Sequence, residues 1–171
     1  GSLDWKVSIA PNRERMLGQG RFGSKWPVRS GGIVENGIVY ATVGLFPSEG
    51  IYLCAINAEN GSFIWKHRLD NSGVGQSPSP QGYVLATDDS IYLTSRVAPT
   101  RWRKKDGKNI GFTTPFPEVK RAHEYRFLNG GSYAQIWNGR NLVFGKACIL
   151  GYDPDQEYKD RYGRTLKGAL L

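Results

Sequence analysis

The chain has 171 residues, enough for one domain with a real core, and its 39% hydrophobic and 22% charged residues are those of an ordinary globular protein. No run approaches the ~20 apolar residues of a membrane-spanning helix, so no membrane span is expected. The formal net charge of +8 invites nucleic acid as a partner, but the basic residues are scattered and interleaved with acids; a basic surface on a secreted or periplasmic protein is the preferred reading.

The 22 glycines, 9 prolines, 5 tryptophans and 9 tyrosines indicate strands joined by tight turns. Residues 1–7, containing LDWKV, read as one strand that ends a preceding unit. Gly1-Ser2 reads as an expression scar, which leaves room for a native targeting segment to have been cut off. Residues 8–29 carry glycine and arginine with little periodicity. From residue 31 the pattern becomes regular. Ile33-Val34 and Ile38-Val39-Tyr40 flank Asn36-Gly37, the pair that supplies the two positive φ angles of a type I′ hairpin. EGIYLCAIN and SFIWKHRL follow as two more strands, so residues 31–69 form a four-stranded antiparallel meander.

A second copy occupies 80–113, with Asp88-Asp89-Ser90 at the first turn and Asp106-Gly107 where the first copy has Asn60-Gly61. Between the copies, 112–130 form a long interruption in which a short helix over 118–127 fits the sequence. A third copy occupies 131–171, with turns at Asn138-Gly139 and Gly145-Lys146 and an enlarged turn at EYKDRYGR. Ile38, Ile91 and Leu142 are aligned as equivalents. Four strands recurring about every 50 residues are the signature of a β-propeller blade. The expected fold is therefore all-β, a single partial β-propeller domain over 1–171 with about three to four blades, too few to close the usual ring.

Ala55, Asn57, Gly61 and Trp65 follow the spacing A-x-D/N-x-x-x-G-x-x-x-W. This resembles the tryptophan-docking motif of the quinoprotein (pyrroloquinoline-quinone-type) β-propellers, a superfamily that includes the quinoprotein alcohol dehydrogenases and an outer-membrane assembly lipoprotein. The second copy keeps Asp106-Gly107 but has Gly111 in the tryptophan place. The third keeps Asp153 but has Glu157 in the glycine place. Trp5 stands as the docking residue of the preceding blade. The resemblance implies that Trp65 packs between blades and that the chain is a piece of a larger propeller.

Family enzymes need an aspartate base, calcium and, in many cases, a vicinal cysteine pair. The chain has no adjacent cysteines. Cys54 and Cys148 fall on like strands of non-adjacent blades and are expected to be free. Asp153, Asp155 and Glu157 read as residues that cap the turn or pair with Lys159 and Arg161 rather than as a metal loop, and two histidines, His67 and His123, exclude a multi-histidine zinc site. No catalytic residue, metal or cofactor is therefore expected, with pyrroloquinoline quinone and calcium as the alternative. Two arginine–tryptophan groups are the candidate ligand sites: Arg96, Arg101, Trp102 and Arg103 in the second copy, and Arg21, Trp26 and Arg29 in the first long loop. Alternation puts Arg101 and Arg103 on one face and Trp102 on the other, as a surface platform for a carboxylate, a sugar acid or phosphate. The leading function is a non-catalytic binding or scaffold module, extracytoplasmic, whose partners are a second copy or the remaining blades, and an acidic sugar or protein ligand. A fragment of a quinone-dependent dehydrogenase and a basic nucleic-acid-binding protein are the alternatives.

Overall fold

A computed structural model describes residues 1–69, 79–95, 99–112, 133–145, 149–159 and 162–170. Among these the protein is all-β, with a single 3-10 turn, Pro47–Glu49, and no α-helix. The segment expected to hold a short helix, 118–127, lies outside the described residues, as do Arg96, His123, Lys146, Cys148 and Arg161. The chain divides into two compact units, Gly1–Pro80 and Gln81–Leu171.

In the first unit, β1 (Arg15–Gly18) and β2 (Arg21–Ser24) form a hairpin, and a two-residue strand, β3 (Ser30–Gly31), follows. The main sheet is the meander β4 (Ile33–Glu35), β5 (Ile38–Val43), β6 (Tyr52–Asn57) and β7 (Phe63–Arg68). Asn36 and Gly37, at φ 50° and 75°, make the expected tight turn. One face of this sheet buries Ala41, Val43, Cys54 and Ile56 with Ile9 and Trp26, and Trp5, Val7, Ala10, Val39 and Tyr52 pack around them. Residues 1–9 form no strand. Instead every second side chain, Trp5, Val7 and Ile9, lies on the sheet.

Trp65 is half-buried on β7, directly opposite Ala55. Its ring sits 6.1 Å from that of Tyr40 and 5.6 Å from that of His67. A different indole occupies the turn glycine. Gly61 has φ 73°, and a Cβ built there would lie 2.8 Å from Cε3 of Trp5, so only glycine lets that ring approach. Trp5 Nε1 donates to the Ala58 carbonyl at 2.8 Å, which fixes the ring over the turn.

The second unit holds two meanders. The first runs β8 (Gly82–Ala86), β9 (Ser90–Leu93), β10 (Thr100–Arg103), β11 (Asn109–Phe112); the second runs β12 (Tyr133–Trp137), β13 (Asn141–Gly145), β14 (Ile149–Lys159), β15 (Thr165–Leu170). They share one core: Tyr92 and Leu85 from the first pack with Ala134, Ile136, Leu142, Phe144, Leu150 and Tyr152 from the second.

The turn that closes the first sheet recurs in the second. Asn57 N–H donates to Ser62 O, Gly61 N–H to Asn57 O and Ala58 N–H to Gly37 O, all at 2.8–2.9 Å; Arg103 to Lys108, Gly107 to Arg103 and Lys104 to Asp89 repeat these bonds at 2.8 Å. Both sheets also carry a bulge one step before this turn, at Ala55/Ile56 and Arg101/Trp102. The repeated bonds correct the sequence alignment by one residue. Ile38 matches Ser90, and it is Val39 that matches Ile91 and Leu142, since strand pairing next to the first turn begins at Glu35–Ile38, Thr87–Ser90 and Trp137–Asn141.

Candidate functional site

The short run Thr100-Arg101-Trp102-Arg103 on β10 alternates faces. Thr100 and Trp102 point to one side and are buried, with Trp102 Nε1 donating to Thr100 Oγ1 at 2.9 Å. At 5% exposure, Trp102 offers no surface on which a ligand could stack. That expectation is corrected: the indole is a core residue whose one donor is already satisfied.

Arg101 points the other way, beside its cross-strand neighbour Tyr92. Its side chain is only 14% exposed. Nε donates to Ser90 Oγ at 2.8 Å, Nη2 lies 3.3 Å from Asp89 Oδ2, and the guanidinium faces the Tyr152 hydroxyl on β14. Arg101 thus bridges the two sheets of this unit. The Asp89 carboxylate is itself fixed by Ser90 Oγ (2.8 Å) and Thr87 Oγ1 (3.2 Å). Burial alone would raise its pKa; the hydroxyl donors and the Arg101 charge outweigh that and hold it below the ordinary value.

Tyr92 is fully buried next to this guanidinium, and its hydroxyl has no hydrogen-bond partner. Burial pushes the phenols of Tyr92 and Tyr152 up, with Arg101 opposing it, so both remain protonated donors. A desolvated guanidinium flanked by two phenolic hydroxyls is a donor set suited to a carboxylate.

Arg103 does not join it. Its fork closes on Asp106 within its own turn, at 2.8 and 2.6 Å, and this pair lowers the Asp106 carboxyl to about 2. Nor do Arg21, Trp26 and Arg29 form one group. Arg21 is exposed on β2 and Arg29 is exposed beyond it, while Trp26 lies in the core with Nε1 donating to Glu49 O at 2.9 Å. The stacking role expected of Trp26 is corrected for the same reason as that of Trp102.

The acidic run of the third sheet also differs from expectation. Arg140, not Lys159, engages Asp153 (3.2 Å) and Asp155 (3.5 Å), and Glu157 faces Lys167 at 3.8 Å. Asp153 Oδ1 accepts the Asp155 N–H, so the capping part of the expectation does occur. Among the described residues no three of His, Cys, Asp and Glu stand together as metal ligands. Cys54 is free and buried, donates to Ala41 O at 3.4 Å, and has its thiol pushed up to about 11 by burial.

Sequence reasoning found Arg101 but missed Ser90, Tyr92 and Tyr152. Tyr92 was reachable from strand pairing. Tyr152 belongs to another sheet, and nothing local points from one to the other.

No family model and no curated protein matches the sequence. Similar solved structures include the crystal structure of BamB from Moraxella catarrhalis, at 10% identity and a TM-score of 0.45, over 82% of this chain. The chain spans 39% of that structure's length.

Proposed function

We propose that this chain is a non-catalytic binding and scaffold module of a quinoprotein-like β-propeller, acting outside the cytoplasm, and that it receives the carboxylate of an acidic sugar or protein at Arg101. The observation that carries this reading is the sheltered guanidinium beside the unpartnered Tyr92 hydroxyl. A buried donor without an acceptor is costly, and a bound oxyanion is the acceptor that would satisfy it. In this reading the three meanders are blades, the Trp5–Gly61 contact is tryptophan docking from one blade to the next, and no quinone or calcium takes part. Other blades or a second copy of the chain are its protein partners.

Calorimetric titration with glucuronate and with a peptide of glutamates tests the reading and separates its two ligand sources. Binding of either, abolished in Arg101→Gln and retained in Arg103→Gln, is the expected result. Binding equally unaffected by both substitutions, or no binding of either probe, overturns it.

A further inference from the structure

The β1–β2 hairpin holds two large apolar side chains, Leu17 and Phe22, out in water. Its sequence, Arg15-Met-Leu-Gly-Gln-Gly-Arg-Phe-Gly-Ser24, contains no acid. The Gln19-Gly20 turn, at φ 49° and 73°, makes a tight two-residue loop and sets Leu17 directly opposite Phe22. Both are exposed, at 64% and 73%. Arg15 and Ser24 follow on the same face, two residues toward the base, and the opposite face carries Met16 and Arg21, each paired with a glycine, Gly23 and Gly18.

An isolated two-stranded hairpin is marginal in water, so this one depends on its base. Asn12 Oδ1 accepts the Glu14 N–H (2.8 Å), Lys25 N–H donates to Glu14 O (3.1 Å), and Lys25 Nζ ties Glu14 and Glu49 together. Ser24 Oγ accepts the Trp26 N–H, and the Trp26 ring enters the core. The same contacts hold both nearby acids, Glu14 and Glu49, on Lys25. Arg13, Arg15 and Arg21 make no ion pair among the described residues. A rigid base thus presents an apolar pair framed by unneutralised cations.

We propose that this hairpin docks the chain on an anionic lipid surface, Leu17 and Phe22 entering the acyl boundary and Arg13, Arg15 and Arg21 meeting lipid phosphates. The geometry suits that layer. Two residues of strand, about 7 Å, separate the apolar pair from Arg15, and interfacial anchors bury their apolar side roughly 5–10 Å deep beneath a cationic rim. A bilayer needs no complementary pocket, which fits a tip with only two apolar side chains. Arginine binds phosphate through charge-assisted bonds and gains from the negative surface potential within a Debye length.

Flotation of the full chain with phosphatidylcholine vesicles, with and without phosphatidylglycerol, tests this. The chain should float with the anionic vesicles only, and salt should release it. The Leu17→Ser/Phe22→Ser variant keeps every charge and should lose about tenfold in partitioning; Arg15→Gln/Arg21→Gln should bind weakly and lose most of the salt dependence. All four side chains are outside the buried core, so unchanged far-ultraviolet circular dichroism checks folding. Failure of the parent chain to float, or flotation of the serine variant equal to the parent, overturns the proposal; the second result would mean that net charge alone attracts the vesicles.

Discussion

Tyr92 and Trp102 are neighbours across β9 and β10 yet face opposite ways, and their fates on truncation should differ accordingly. Tyr92→Phe deletes only a buried hydroxyl that has no partner. An unsatisfied buried polar group costs on the order of 1–3 kcal/mol, so the variant should unfold at higher urea, by about 1 kcal/mol, while weakening carboxylate binding at Arg101. Trp102→Ala empties a filled core position and should cost about 3–5 kcal/mol. Trp65→Ala removes a half-buried ring and should cost less, the reverse of the order that a surface role for Trp102 implies. Denaturant melts of the two tryptophan variants decide between these orders. Asp106 allows a pH test. Its carboxyl is held at about 2, foremost by the Arg103 hydrogen bond, so the pair's contribution is present above the ordinary carboxylate value and is lost as pH falls through about 2. The pair is exposed, so the effect on global stability is small. A carbon-detected titration should place the Asp106 midpoint near 2; a midpoint near the ordinary 3.8 would mean that the pair is open in solution.

At the level of elements, the repeated turn is the informative unit. Asn36-Gly37, Gly61 and Gly107 were legible because positive φ angles narrow the choice of residue, so the sequence marks those positions sharply. The alignment of Ile38 with Ile91 slipped by one because alternating apolar residues look alike in either register; only the bulge and its hydrogen bonds distinguish them. The partner of Gly61 could not be read from its own hairpin, since Trp5 comes from 56 positions earlier in the chain and pairs with no strand. That contact is separable by experiment. Gly61→Ala forces a non-glycine residue into the left-handed region, costing about 1–2 kcal/mol, and also drives its methyl into the Trp5 ring. In a Trp5→Ala background the second cost should vanish and the first remain. The two substitutions should therefore be far from additive in a double-mutant cycle, and additivity would show that the indole does not rest on the glycine.

For the whole molecule, the third sheet poses the strongest question about association. Strand alternation sends Ala134, Ile136, Leu142, Phe144, Leu150 and Tyr152 to the core face. The opposite face carries Tyr133, Gly145 and Ile149 in one row across three strands, with Trp137 four residues along β12 from Tyr133. Tyr133 and Ile149 are 77% and 84% exposed. Three large exposed apolar side chains grouped on one sheet face mark a surface that gains from being covered. The net charge of +8 opposes bringing two copies together, but charges more than ~8 Å apart are largely screened at physiological salt, whereas burial of the face is not. The chain is therefore expected to self-associate through this face at micromolar concentration. Ile149→Lys adds a charge at the end of the row without touching the core, and should return the chain to a 19.1 kDa species in sedimentation equilibrium. A parent chain that sediments as 19.1 kDa throughout would overturn the expectation. An associating chain indifferent to Ile149→Lys would move the contact to another surface.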